Sequence, residues 1–231
     1  MMRLDKLLAL HGFGTRNHVK KIIKAQRVRV NDDLVVDPAF KLDAELDHIT
    51  VDHKTLTHRD KVHYMLNKPQ GYICAHIDHR YPSVLELIHE KRSDLIIVGR
   101  LDVDTEGLLL ISNDGLFSHQ VSHGKKAIEK QYHVTLKDPF NRAYIPDLER
   151  GIALDDVQLK PAKVNVIDDY TLHLSISEGK KHQVKRMMRY CENEVVFLKR
   201  IKIGKLKLDE SLSPGAYRLL ESHEVDAIFK L

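Results

Sequence analysis

The stretch that most constrains this chain is Gly99-Arg100-Leu101-Asp102-Val103-Asp104-Thr105-Glu106-Gly107-Leu108-Leu109-Leu110-Ile111, where three alternating carboxylates run straight into four aliphatics. Leu108–Ile111 reads as a buried strand, so the acids before it sit where a core element begins. Three readings compete for those acids. Asp102, Asp104, Glu106 and Gly107 fall at positions 1, 3, 5 and 6 of a calcium loop, but position 12 is Asn113, which cannot supply the bidentate carboxylate. An Asp-x-Asp that binds a divalent ion for sugar chemistry would want a repeated strand–helix–strand pattern with a Gly-rich turn, and none is evident. The third reading is a carboxylate held in place to react.

The 231 residues, 42% hydrophobic and 30% charged, allow one large domain or a small one beside a medium one. No apolar run approaches the ~18 residues of a membrane span, and the charged Met-Met-Arg-Leu-Asp-Lys start has no apolar signal region. The expectation is a cytoplasmic protein with no membrane partner. Cys74 and Cys191, the two cysteines, read as reduced thiols. The net charge of +4 is modest but unevenly spread. Arg3, Lys6, Arg16, Lys20, Lys21, Lys24, Arg27 and Arg29 face one acid, Asp5, within residues 1–31, and a second basic run extends from Lys180 to Lys207. Two such patches point to a polyanion.

Residues 2–31 read as helix, turn, helix, strand. Leu4, Leu7 and Leu8 form an apolar stripe, Thr15 caps a second helix that turns Val19, Ile22 and Ile23 inward, and residues 27–31 alternate as a strand. Residues 53–61 are polar and without period, and the domain boundary is placed there: residues 1–58 as a small domain with its linker, residues 59–231 as a larger one. Beyond it, strand-like runs at 62–66, 108–111, 132–136, 164–166 and 172–176 alternate irregularly with helical segments near 84–89, 116–122, 143–150, 181–191 and 223–229. That pattern predicts an α+β fold: a small domain of helices plus a short hairpin, then a mixed, mostly antiparallel sheet.

Residues 2–52, with Arg-Leu-Asp-Lys opening a helix, a basic second helix and Val28-Arg29-Val30-Asn31, resemble the S4 RNA-binding domain. Further on, Asn67-Lys68-Pro69-Gln70-Gly71-Tyr72, the 99–115 stretch, Lys130-Gln131-Tyr132 and the 178–188 segment containing His182-Gln183-Val184-Lys185-Arg186-Met187 occur in order. This set resembles the pseudouridine synthases, in the branch acting on small-subunit ribosomal RNA. The resemblance implies Asp102 as the catalytic carboxylate, Tyr132 as the active-site tyrosine and Lys185 as the basic residue after His-Gln-Val, where relatives often have Arg. It gives Asn67-Lys68-Pro69 a supporting role and links Arg100 to flipping the target base. RNA contacts fall to Arg3, Lys6, Arg16, Lys20, Lys21, Lys24, Arg100, Lys180, His182 and Arg186.

Turning uridine into pseudouridine breaks the N1–C1′ bond, rotates the base and joins C5 to C1′. Neither cofactor nor metal is required, and the fifteen histidines show no ligand spacing. A carboxylate near the sugar or base could add to C6, attack C1′ or deprotonate C2′. Burial would neutralise it unless a cation stood near, and Lys185 is the expected one. Without the resemblance Lys185 reads first as an exposed phosphate contact and Tyr132 equally as a core tyrosine, while Asp104 and Glu106 read as turn caps or partners of Arg100 rather than as catalytic groups. The expected partner is 16S ribosomal RNA or a partly assembled small subunit, met by a monomer. The rivals are a synthase for a 23S uridine and a non-catalytic S4-type assembly factor.

Overall fold

The computed structural model describes residues 1–90, 92–122 and 127–230. The chain divides into two units, Met1–Val62 with Ile88–Leu95, and His63–Leu87 with Ile96–Leu231. No helix among the described residues is long and apolar enough to cross a membrane.

In the first unit, helix α1 (Leu4–Leu10) buries Leu4, Leu7 and Leu8, the stripe its spacing predicts. Helix α2 (Arg16–Lys24) begins where the Thr15 hydroxyl accepts from the His18 N–H at 3.3 Å, and it buries Val19, Ile22 and Ile23. Both pack on Val28, Val30, Ile49 and Val51 of a four-stranded antiparallel sheet. At the margin of this unit His11 Nε2 meets His58 Nδ1 at 3.0 Å, and His58 Nε2 meets Asp60 at 3.0 Å.

The second unit is built on a nine-stranded sheet. Its main path runs Lys163–Val166, Thr171–Ile176, Lys130–Leu136, Val195–Ile203, Glu106–Ser112, His63–Lys68 and Tyr217–Leu219. Among the described residues every strand pairing is antiparallel except Val195–Ile203 with Glu106–Ser112. The mixed, mostly antiparallel sheet expected from the sequence is present. Leu108–Ile111 lies wholly buried in its middle. On one face Met65, Leu108 and Leu110 pack against Phe117 and Val121 of α3 (Gly115–Ser122) and Ile228 near the chain's end. Tyr132 and Arg200 pair across neighbouring strands and share one face, while His133 and Lys199 pair and share the other. Gly107 makes the parallel pairing possible: its φ is +100°, and a Cβ there would stand 2.3 Å from the Arg200 carbonyl oxygen.

The Val195–Ile203 strand is not foreseen by the sequence reading, because its lysines and arginine merge with the surrounding basic run. The helix expected over 181–191 is α4 here, Gln183–Tyr190, and it starts after His182, which takes a left-handed backbone with φ +52°. The segment expected near 84–89 is a single 3-10 turn, Val84–Leu87.

Burial, with the Arg92 and His58 charges beside it, pushes His11 down to about 4 from an ordinary 6.5. The unfolded chain therefore binds this proton first, so the stability it contributes is whole above pH ~6.5 and is lost as pH falls toward ~4. Between neutral pH and about 4.5, amide exchange across α1 should show the parent losing about 1–2 kcal/mol more than His11→Gln. Equal losses would refute the assignment.

Candidate active site

Lys68 ends the His63–Lys68 strand and is fully buried. Its ammonium donates to the carbonyl oxygens of Asp102 at 3.0 Å, Thr105 at 2.8 Å and Pro69 at 3.0 Å, with that of Val103 at 3.4 Å. Burial lowers the Lys68 pKa, while Cys74 and the carboxylates of Asp104, Asp102 and Glu106 act to raise it. From the other side the Leu101 N–H donates to Cys74 Sγ at 3.4 Å and the Gly71 N–H to the Val103 carbonyl at 2.8 Å. The carbonyls that a calcium loop would turn toward an ion are thus turned toward an ammonium. Among the described residues no group of three His, Cys, Asp or Glu could hold a metal.

Held this way, Asp102 lines a cavity of about 440 Å³ together with Arg100, Thr105, Tyr132, His182 and Lys185. His182 Nε2 stands 3.6 Å from Asp102 Oδ1. A non-glycine residue in the left-handed region is a strained choice that recurs at working sites, and here it begins α4 beside the carboxylate. Tyr132 is buried at 7% exposure, and Arg100 is exposed with no ion pair among the described residues.

The expected pairing of Lys185 with Asp102 is not what the structure has. Lys185 Nζ lies 2.6 Å from both carboxylate oxygens of Asp104. Burial works against the charged form of Asp104, yet the Lys185 ammonium holds its carboxyl below the ordinary value. Two carboxylates two residues apart compete for one flexible amine, and the one that offers both oxygens takes it. Among the described residues it is the His182 imidazole that stands within ion-pair distance of the Asp102 carboxylate, at 3.6 Å.

Other sequence-predicted residues divide between committed and available. Arg186 pairs with Asp155 at 2.6 Å and Arg3 with Asp5 at 2.8 Å. Lys180 lines the cavity and makes no ion pair among the described residues. In the first unit Lys6, Arg16, Lys20, Lys21 and Lys24 are exposed and likewise make no ion pair among the described residues, so α2 presents a basic face opposite its buried stripe.

Some residues of the site escape the sequence reading. Gln183 is buried, accepts from the Lys180 N–H at 2.9 Å and donates to Glu178 at 3.1 Å, which ties the loop bearing His182. Its place inside the His182–Lys185 segment was the available signal. Arg200, 2% exposed, gives Nε to the Leu108 carbonyl at 2.8 Å and leaves one terminal nitrogen buried without a partner. Burial, with the Arg200 and Lys160 charges, pushes nearby Lys130 down to about 8. Thr105 Oγ1 is likewise buried and unpartnered at the cavity.

Residues 62–190 match the family described as RNA pseudouridylate synthase, and residues 2–48 match the S4 domain. A ribosomal small subunit pseudouridine synthase A of Haemophilus influenzae is 41% identical, over 99% of this chain and 100% of its own. An uncharacterized RNA pseudouridine synthase of Bacillus subtilis is 40% identical, over 97% of each. A pseudouridylate synthase crystal structure is 39% identical, with a TM-score of 0.70, over 99% of this chain and 100% of its own.

Replacing Lys68 by Met should leave the carbonyls of Asp102 and Thr105 without their donor and lower stability by about 3 kcal/mol, read from the urea midpoint. Amide exchange at Leu101 and Thr105 should rise with it; an unchanged midpoint would show that the ammonium is not the anchor.

Proposed function

The chain belongs to the RNA pseudouridylate synthase family, and from that premise we propose that it isomerises one specific uridine of 16S ribosomal RNA to pseudouridine, with Asp102 as the reacting carboxylate. The observation that carries the reading is Asp102 lining one cavity with Tyr132 and His182, its backbone fixed by Lys68. Likeness over full length to a small-subunit synthase supports the 16S target. Action on ribosomal RNA also supports a cytoplasmic protein that docks as a monomer on a much larger partner.

In the net reaction the N1–C1′ bond breaks and the C5–C1′ bond forms. The hydrogen on C5 leaves as a proton, and N1 finishes with one. Asp102 acts at the sugar or the ring, as nucleophile or base. Reaching C6 or C1′ requires the nucleotide to leave its stack, at a cost of a few kcal/mol. Arg100, exposed at the cavity, is suited to occupy the space the base vacates. Tyr132 offers a ring face on which the extruded uracil can stack. Lys185, kept by Asp104, and Lys180 supply positive charge for flanking phosphates. Arg16, Lys20, Lys21 and Lys24 on α2 add affinity through phosphates without reading sequence.

Release of tritium from 5-tritiated uridine in 16S RNA tests the reaction, and a non-catalytic binder would release none. Asp102→Asn should cut release by about 10³-fold or more while RNA affinity stays close to parental. Asp104→Asn frees Lys185 yet should keep measurable release; equal loss in both variants would move the catalytic assignment. If 23S RNA and not 16S RNA releases tritium, the target reading fails while the reaction stands.

Changing Lys20, Lys21 and Lys24 together to Gln should weaken 16S RNA binding and lower its slope against log salt by roughly 2. Unaltered affinity would mean that α2 is not the grip.

A further inference from the structure

The face of the second unit's sheet that carries His133 and Lys199 holds a cavity of about 750 Å³, lined on one side by His133, His173 and Phe197 and on the other by Lys199, Lys202 and Lys207. The active-site cavity shares none of these residues. Strand register stacks basic side chains here. His173, His133 and Lys199 stand directly opposite one another across three neighbouring strands, and Lys202 faces Lys207 across the next pairing. Two ammonium groups directly opposite on a sheet repel, and a bound anion would relieve the repulsion between Lys202 and Lys207. Among the described residues none of the three lysines makes an ion pair. Of the two acids of the lining, Asp209 is bound to Arg218 at 2.6 Å and to Ser211 at 2.6 Å, and Glu210 is exposed and forms no ion pair with these lysines. Glu106, in register beside Lys199, forms no ion pair with it. Asn67 lines the same cavity, and its Oδ1 is a buried acceptor without a donor.

The two histidines are 3.3 Å apart, and the Phe197 ring lies edge-on to His133 with centroids 6.1 Å apart. A sheet face bearing an aromatic and two imidazoles, bordered by lysines that make no ion pair among the described residues, has the ingredients with which sheets take single-stranded RNA: rings for bases and cations for phosphates. We propose that this face is a second RNA-binding site, separate from the catalytic cavity, which seats an unstacked nucleotide of a single strand on Phe197 and its phosphates on Lys199, Lys202 and Lys207. Burial and the charge of His133 lower the His173 pKa, and a bound phosphate would oppose both. The proposal rests on RNA being the substrate class, but its test reads binding and not turnover.

The probe is a fluorescein-labelled single strand of about a dozen adenosines and cytidines, which contains no uridine for the catalytic cavity. Anisotropy titrations over a range of salt compare the full chain with two variants. Lys199→Gln, Lys202→Gln and Lys207→Gln together should weaken binding about tenfold and lower the salt slope by roughly 2, since each phosphate contact on a single strand contributes ~0.7. Phe197→Leu keeps apolar volume and removes the ring; it should weaken binding about fivefold with the slope unchanged. Thermal melts should show both variants folded. Parental affinity and slope in the triple variant overturn the proposal. So does a triple variant that weakens binding while Phe197→Leu does not, because the lysines then form a charged surface with no seat for a base. Competition by AMP as strong as by the strand would assign the site to free nucleotides. A concentration-dependent dimer in sedimentation that the triple variant abolishes would show a second copy covering this face.

Discussion

A single buried ammonium sets the geometry on which the catalytic side of this protein depends. Among the described residues Lys68 has no ion-pair partner; it is held by the carbonyl dipoles of Asp102, Thr105 and Pro69. An ammonium has three donors and no directional preference beyond them, so three carbonyls that converge on it are fixed relative to one another. That convergence forces the chain from 101 to 105 into a tight turn and leaves the Asp102 side chain free to face the cavity. A flexible loop bearing the same acid would lose much of the benefit of orientation, which is among the largest contributions a protein makes to a reaction. The acids around Lys68 favour its charged form against the pull of burial, so the anchor and the carboxylates above it support each other.

The helices and caps of the first unit were legible because their signals are local. The i, i+3, i+4 spacing of Leu4, Leu7 and Leu8 and the hydroxyl of Thr15 need no distant partner to be read. Leu108–Ile111 was legible for a similar reason, since four aliphatics in a row have nowhere to go but inside. Val195–Ile203 was not, although it lies at the middle of the sheet's path. Its buried position 200 is an arginine, and burial of a guanidinium depends on the Leu108 carbonyl of a strand ninety-two residues away. No periodicity rule anticipates that. The same limit governs the site: the ordered motifs point to Asp102, Tyr132 and Lys185 as the catalytic set and to His182 as an RNA contact, and all four line one cavity. Which carboxylate holds Lys185 is decided by side-chain reach across eighty-one residues, and on that point Asp104 prevailed.

Asp104 then takes on a meaning that the opening stretch alone did not give it. Held at 2.6 Å from both oxygens, the Lys185 ammonium is kept beside the cavity but away from Asp102. A phosphate arriving with the substrate would offer that amine a second anion, and a lysine on a flexible stem can exchange partners at little conformational cost. The acid that looked like a metal ligand is the partner of the Lys185 ammonium.

The Val195–Ile203 strand also joins the two working faces of the sheet. Its alternation sends Leu198 toward the catalytic cavity and Phe197 and Lys199 toward the opposite one. Extruding one nucleotide from a folded RNA costs a few kcal/mol. Binding energy gathered from parts of the substrate remote from the reacting atoms can be used for that purpose, provided those parts are held while the base swings. A second seat on the far face of the same rigid sheet would restrain a neighbouring segment of RNA without crowding the cavity. Because both faces share one strand, a nucleotide bound on one side and Asp102 on the other would be related by fixed backbone geometry, which a grip on a separate domain cannot guarantee.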